Sequence, residues 1–156
     1  MATGSPISVP TTIDYVDYAA DSWLILPMEN EIGKLTEKEM QKKYYFVDNG
    51  LLNLFLINSE TSLLENMVAV ELCRRYGKKN VFFLNAEKDI DFVVPDEKLA
   101  IQVSYSIKGE ITYNREVLPL VKYAKAHEDW KCLLITYDEE GTEEEIPVVP
   151  VWKWLM

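Results

Sequence analysis

Asp91 stands inside an apolar run, Ile90-Asp91-Phe92-Val93-Val94, where a carboxylate costs free energy unless it lies at an open edge or finds a partner. Further along, Ile101, Val103 and Tyr105 alternate with Gln102 and Ser104, and the two-residue period of a strand sends Gln102 and Ser104 to one face. If the two strands are neighbours, an acid, an amide and a hydroxyl meet in one place. Such a group can form one site, or it can be an acid held by backbone donors beside ordinary polar positions on a half-covered face. Upstream, Ser62-Leu63-Leu64-Glu65 fits a capping box with Ser62 as N-cap, which accounts for Glu65 without any function. Glu71 precedes Arg75 by one helical turn, a favourable pairing.

The elements that must position these residues follow from spacing. Helical periodicity from Ser62 to about Tyr76, stopped by Gly77, predicts a helix. Strand-length apolar runs follow over 81–84, 90–94 and 99–105, separated by polar turns. Thr112 to Ala126 has helical spacing, with Pro119 expected to kink it or to begin its regular part. Cys132 to Tyr137 reads as a buried strand, and Pro147 to Trp152, with two prolines, as an edge strand. The order helix, three strands, helix, strand is buried economically by a mixed sheet with helices on both faces.

Before this main domain, residues 48–156, lies a segment of different character. Over 1–47 a helix is expected from Pro10, with Ile13, Val16 and Ala20 at helical spacing. Two short strands, Trp23 to Leu26 and Tyr44 to Val47, flank a polar, helix-prone linker over 29–43. Helix then two strands is the tail of a winged-helix-like unit. A short helix is expected over 51–57.

Composition narrows the function classes. A net charge of −10 repels phosphate backbones, so general nucleic-acid binding is disfavoured. No Lys or Arg occurs between Met1 and Gly33, and Asp14, Asp17 and Asp21 recur about once per turn of the first helix. A helix that reads DNA needs the opposite charge. The acidic run from Asp138 to Glu145 reads as a solvated turn between strands. Cys73 and Cys132 sit in apolar stretches without metal-type spacing and read as buried thiols of a reducing compartment. No leader and no membrane-length apolar run is visible, so the cytoplasm is the expected location. His127, beside Glu128 and Asp129, reads as a surface residue at a helix end. Trp23, Tyr44, Tyr45, Phe46, Trp152 and Trp154 read as core or interface, since no basic residues interleave with them.

Several segments together carry a resemblance: Lys43-Tyr44-Tyr45-Phe46-Val47-Asp48-Asn49-Gly50-Leu51, Leu64-Glu65-Asn66, Ile90-Asp91-Phe92-Val93, Ile101-Gln102-Val103-Ser104 and Arg115-Glu116-Val117-Leu118-Pro119-Leu120. With these, the chain resembles the region C-terminal to the ATPase module of many prokaryotic AAA-type ATPases, itself similar to the PD-(D/E)XK nuclease fold. No G-x-x-x-x-G-K-[ST] occurs, so the chain reads as a C-terminal fragment or a naturally short relative. The resemblance implies an α/β, restriction-endonuclease-like core preceded by a partial winged-helix-like segment. In active members a helix Glu, a strand Asp and the acid of an E-x-K motif surround a divalent metal. Glu65 and Asp91 match the first two, and Asp91 is the residue that would ligate Mg²⁺ if a metal binds.

Gln102 stands where the second carboxylate is expected and Ser104 where the lysine is expected. A neutral amide adds no charge for a hard cation, and a serine hydroxyl neither neutralises developing charge nor accepts a proton well at neutral pH. Lys88, Lys98, Lys108 and Lys122 are candidates for a migrated lysine, with no spacing to favour one. The expectation is therefore a vestigial site of Glu65, Asp91, Gln102 and Ser104 with no cofactor, in a non-catalytic domain that contacts its own ATPase module, a second copy or another protein. The alternative is a metal-dependent nuclease or DNA-binding module of the same type.

Overall fold

Strand-forming runs with apolar residues on both faces build a six-stranded mixed sheet. The structure, a computed structural model, describes residues 8–32, 42–57, 60–85 and 89–156. Helix α1 (Val9–Asp21) begins at the N-cap Ser8, with Pro10 in its first turn. It leads to a small antiparallel sheet of β1 (Ile25–Met28) and β2 (Lys43–Phe46). Most of the helix-prone linker expected over 29–43 falls on 33–41, outside the described residues. A short helix, α2 (Asn49–Asn53), is capped by the Asp48 side chain on the Gly50 N–H.

Helix α3 (Glu60–Tyr76) precedes an antiparallel meander, β3 (Phe82–Leu84), β4 (Ile90–Val94) and β5 (Leu99–Ser104). The crossover from β5 runs through a short helix, α4 (Glu110–Thr112), a π-helical turn over Tyr113–Val117 and helix α5 (Leu118–Ala126). It places β6 (Lys131–Thr136) parallel to β5. A hairpin of β7 (Gly141–Glu143) and β8 (Ile146–Pro150) and a last turn, α6 (Val151–Trp154), complete the order β3-β4-β5-β6-β8-β7. The helix, three strands, helix and strand expected between Ser62 and Tyr137 are all present. Pro119 falls in the first turn of α5, so it begins the regular part.

Two expectations are corrected. Ser62 is not an N-cap: α3 has already begun at Glu60, so Ser62 sits exposed in its first turn and Glu65 is free of capping duty. The proline-bearing strand β8 is not at the edge. It lies between β6 and β7, because the acidic run itself folds into β7 and takes the edge. Pro147 and Pro150 both lie in β8, Pro150 as its last residue, so the strand lacks two N–H donors.

One apolar cluster lies under α3, where Leu64, Val68, Ala69 and Leu72 meet Phe92, Val94, Ile101 and Val103. Leu26, Met28 and Tyr45 of the small sheet join that cluster. The other lies under α5, where Val117, Leu120 and Val121 meet Val93, Ala100, Leu134 and Val148. The small sheet is also tied to the edge of the large one: Glu31 N–H donates to the Phe83 carbonyl at 2.8 Å and Phe83 N–H to the Glu29 carbonyl at 3.1 Å. That connection carries β2 to the end of the sheet where Asp91 lies.

Candidate functional site

The ladder between β4 and β5 pairs Phe92 with Ile101, Val93 with Ala100 and Val94 with Leu99. One step further, side chains replace backbone. Asp91 Oδ2 accepts from the Val103 N–H at 3.0 Å, and Gln102 Oε1 accepts from the Asp91 N–H at 3.3 Å. The register of β3 against β4 shifts at the same place, between Phe82 and Leu84. Strand irregularities of this kind re-aim side chains. Here a carboxylate is held at the opening between two strands, which is the reason for its place in an apolar run.

Around Asp91 the acids are not alone. Lys43, the first residue of β2, reaches Asp91 Oδ1 at 3.4 Å and Glu65 Oε1 at 3.3 Å. Tyr45, two residues on and therefore on the same side of β2, donates its hydroxyl to Glu65 Oε1 at 2.8 Å. The Lys43 ammonium also lies 5.5 Å from the centre of the Phe83 ring. Beyond Asp91, Gln102 Nε2 donates to Glu116 Oε2 at 2.8 Å, and Arg115 is paired with the other Glu116 oxygen. Ser104 is spent elsewhere, its hydroxyl donating to the Ser106 carbonyl at 2.7 Å. The site thus joins Glu65, Asp91 and Gln102, and Ser104 belongs to the turn that follows β5.

The electrostatics follow from one cation among several acids. Burial and the charge of Glu65 push the Asp91 carboxyl up to about 7, against the pull of Lys43 and the Val103 N–H. Burial alone would lower the Lys43 ammonium, but Asp91 and Glu65 beside it raise it above its ordinary value. Burial and then Glu65 push the Tyr45 phenol far up. One ammonium facing two carboxylates in a partly buried site favours keeping a proton in the group near neutrality.

Mg²⁺ is the ion that the resemblance implies, and the donors fit it poorly. Among the described residues no group of three or more His, Cys, Asp or Glu side chains could hold a metal ion. The oxygens of Glu65 and Asp91 that face each other share an ammonium instead, and the other Asp91 oxygen holds the Val103 N–H. The Gln102 carbonyl is likewise occupied by the Asp91 N–H.

Lys43, Tyr45, Glu116 and Asn66 have no candidacy in the sequence. Lys43 reads as the end of the linker before β2, although its alternation with Tyr45 is a readable sign that they share a face. Of the migrated-lysine candidates, Lys98 pairs with Asp129 and Lys108 with Glu139. Lys88 lies outside the described residues. Glu116 sits on a π-helical turn, whose extra residue shifts side chains off the ordinary helical phase. Asn66 is almost fully buried and accepts from the Phe46 N–H while donating to the Phe46 carbonyl and to Asn49, so α3 is clamped to β2 just behind Glu65.

Among curated proteins the chain is similar to the uncharacterized protein MJ1544 of Methanocaldococcus jannaschii, 33% identical over 167 residues, which takes in 95% of this chain. The chain spans about a third of that relative's length, 36%. No family model and no solved structure matches it.

The other singled-out residues have plain roles. Glu71 pairs with Arg75, as expected, and also with Arg74, whose hydrogen bond and that of Arg75 pull its carboxyl down to about 2. His127 caps the end of α5, exposed and stacked on Tyr123 at 4.1 Å. Cys73 and Cys132 are free, half-buried thiols pushed up to about 11 by burial. Glu139 departs from the solvated acidic run: it accepts from the Ser106 hydroxyl and the Ile107 N–H, fixing the turn after β5. No helix among the described residues is long and apolar enough to cross a membrane.

Proposed function

We propose that the chain is a non-catalytic protein-contact module of PD-(D/E)XK-like type, carried at the C-terminal side of an AAA-type ATPase, with its nuclease site converted to an internal ion-pair network. The observation that carries this reading is the Lys43 ammonium between Glu65 and Asp91. A metal-dependent hydrolase needs such carboxylates to hold a cation firmly and leave it open to water and phosphate. Here their charge is met by the protein's own lysine, and the amide at Gln102 adds none. The meander of β3, β4 and β5 followed by the parallel β6 supports the restriction-endonuclease-like reading. The helix α1 followed by the β1–β2 hairpin supports the winged-helix-like one. The greater length of the archaeal relative leaves room for an ATPase module outside the matched region.

One observation favours a second reading, a metal-dependent nuclease. Lys43 supplies the ammonium that Ser104 lacks, close to both acids. The two readings part in one assay. Purified protein is incubated with Mg²⁺ or Mn²⁺ and plasmid DNA, single-stranded DNA or RNA, beside the Asp91→Ala and Lys43→Met variants. The expected result is no cleavage by any of the three. Cleavage by the unchanged chain that both variants abolish would overturn the non-catalytic reading and establish Lys43 as the migrated lysine.

A further inference from the structure

Helix α1 has 13 residues and buries none of them. A helix of that length is marginal in water on its own, and helices in proteins gain most of their stability by packing an apolar face. Yet α1 has such a face. Val9, Ile13, Val16 and Ala20 follow one another at steps of four, three and four residues, the spacing of a seam that packs against a second helix. Val9 is 74% and Ile13 55% exposed, while Val16 and Ala20 are half-buried.

Charge says what should cover the rest. Asp14, Asp17 and Asp21 lie together along one flank of the seam, all exposed, and no Lys or Arg occurs from Met1 to Gly33. Asp21 also stands in the last turn, beside the carbonyl end of the helix, where a cation and not an anion is favoured. Just past that end, the Lys78 ammonium lies over the Trp23 ring at 4.8 Å. A second α1 would bring three more aspartates against these three, a repulsive pairing. An apolar strip flanked by lysine or arginine meets both demands.

We propose that α1 is a docking helix for a basic amphipathic helix of a partner polypeptide. The partner lays apolar residues on Val9 and Ile13 and cations along Asp14, Asp17 and Asp21. This rests on the reading of the chain as a protein-contact module and names the chemistry of the contact.

The test uses the whole 156-residue chain and three labelled synthetic peptides, followed by fluorescence anisotropy. One peptide is an amphipathic helix with leucines at alternating three- and four-residue steps flanked by lysines. The second has glutamates in place of those lysines, and the third is a scramble of the first. The expected result is binding of the first alone, weakened by added salt. Ile13→Asp should weaken it by about tenfold or more, and the triple Asp14→Asn, Asp17→Asn, Asp21→Asn variant should lose the preference for lysine over glutamate. Circular dichroism confirms that the variants keep their fold. No binding of the first peptide, or equal binding of the scramble, would overturn the proposal. So would a doubled mass in sedimentation that Ile13→Asp abolishes, since the occupant would then be a second copy. None of these outcomes bears on cleavage, so the docking proposal and the non-catalytic reading can fail separately.

Discussion

Helices α1 and α3 are of similar length, and they relate to the molecule in opposite ways. Helix α3 buries Leu64, Asn66, Val68, Ala69 and Leu72, while α1 buries nothing. The acid Glu65 of α3 is bound into a network with Lys43, Tyr45 and Asp91, while the acids of α1 face water. An apolar stripe on a helix is thus a demand for a surface and does not say which one. In α3 the sheet answers that demand; in α1, among the described residues, nothing buries Val9 and Ile13.

The largest effect expected from this contrast lies in packing. Leu72 is fully buried, so Leu72→Ala should cost about 2–5 kcal/mol in urea unfolding, by lost transfer energy and a cavity. Ile13→Ala, on the open helix, should stay within about 0.5 kcal/mol. Comparable losses at the two positions would break the comparison, because they would show α1 to be packed in solution.

A smaller effect should appear in the pH dependence of stability. Asp91 in the folded chain is raised from 3.8 to about 7, so the folded state holds its proton more tightly than the unfolded state. The stability gained from that proton is full below pH ~4 and is lost as pH rises toward 7, by at most about 1.4 kcal/mol per pH unit. Glu71 works the other way: held near 2 against 4.5 unfolded, it contributes above 4.5 and that contribution fades as pH falls. Glu65→Gln removes one of the charges that raise Asp91, so the loss on the alkaline side should end at a lower pH. Urea midpoints measured from pH 3 to 8 for the unchanged protein and Glu65→Gln check this, and an alkaline limb that Glu65→Gln leaves in place would contradict it.

The smallest effect belongs to the end of α1. Asp21→Asn removes an anion from the carbonyl end of a helix and should stabilise the chain by roughly 0.3–1 kcal/mol at low salt. The gain should vanish at high salt, and a loss of stability would mean that Asp21 already has a cationic partner.

The order of elements was legible because each one answers to local chemistry. Ile90 to Val94 is a short apolar run bounded by turn residues, and the strand has those bounds. The run over 99–105 ended one residue early, at Ser104, whose hydroxyl turns to the backbone of Ser106. The capping box misled because Ser62 and Glu65 have the right types and spacing, while the helix had already started at Glu60. Two prolines suggested an edge for β8, and nothing local showed that the acidic residues after β6 would pair alongside it.

By itself the sequence determined the alternation of helix and strand, the pairing of Glu71 with Arg75, the two faces of β5 and the acidic, cation-free character of α1. Each of these depends on neighbours within one turn of helix or one step of strand. Only the tertiary structure decided that Lys43 would stand between Glu65 and Asp91, that Glu116 would take the Gln102 amide, and that the seam of α1 would stay open. Those contacts join residues far apart in the chain. Their energies depend on distance and burial in space, which no local pattern encodes.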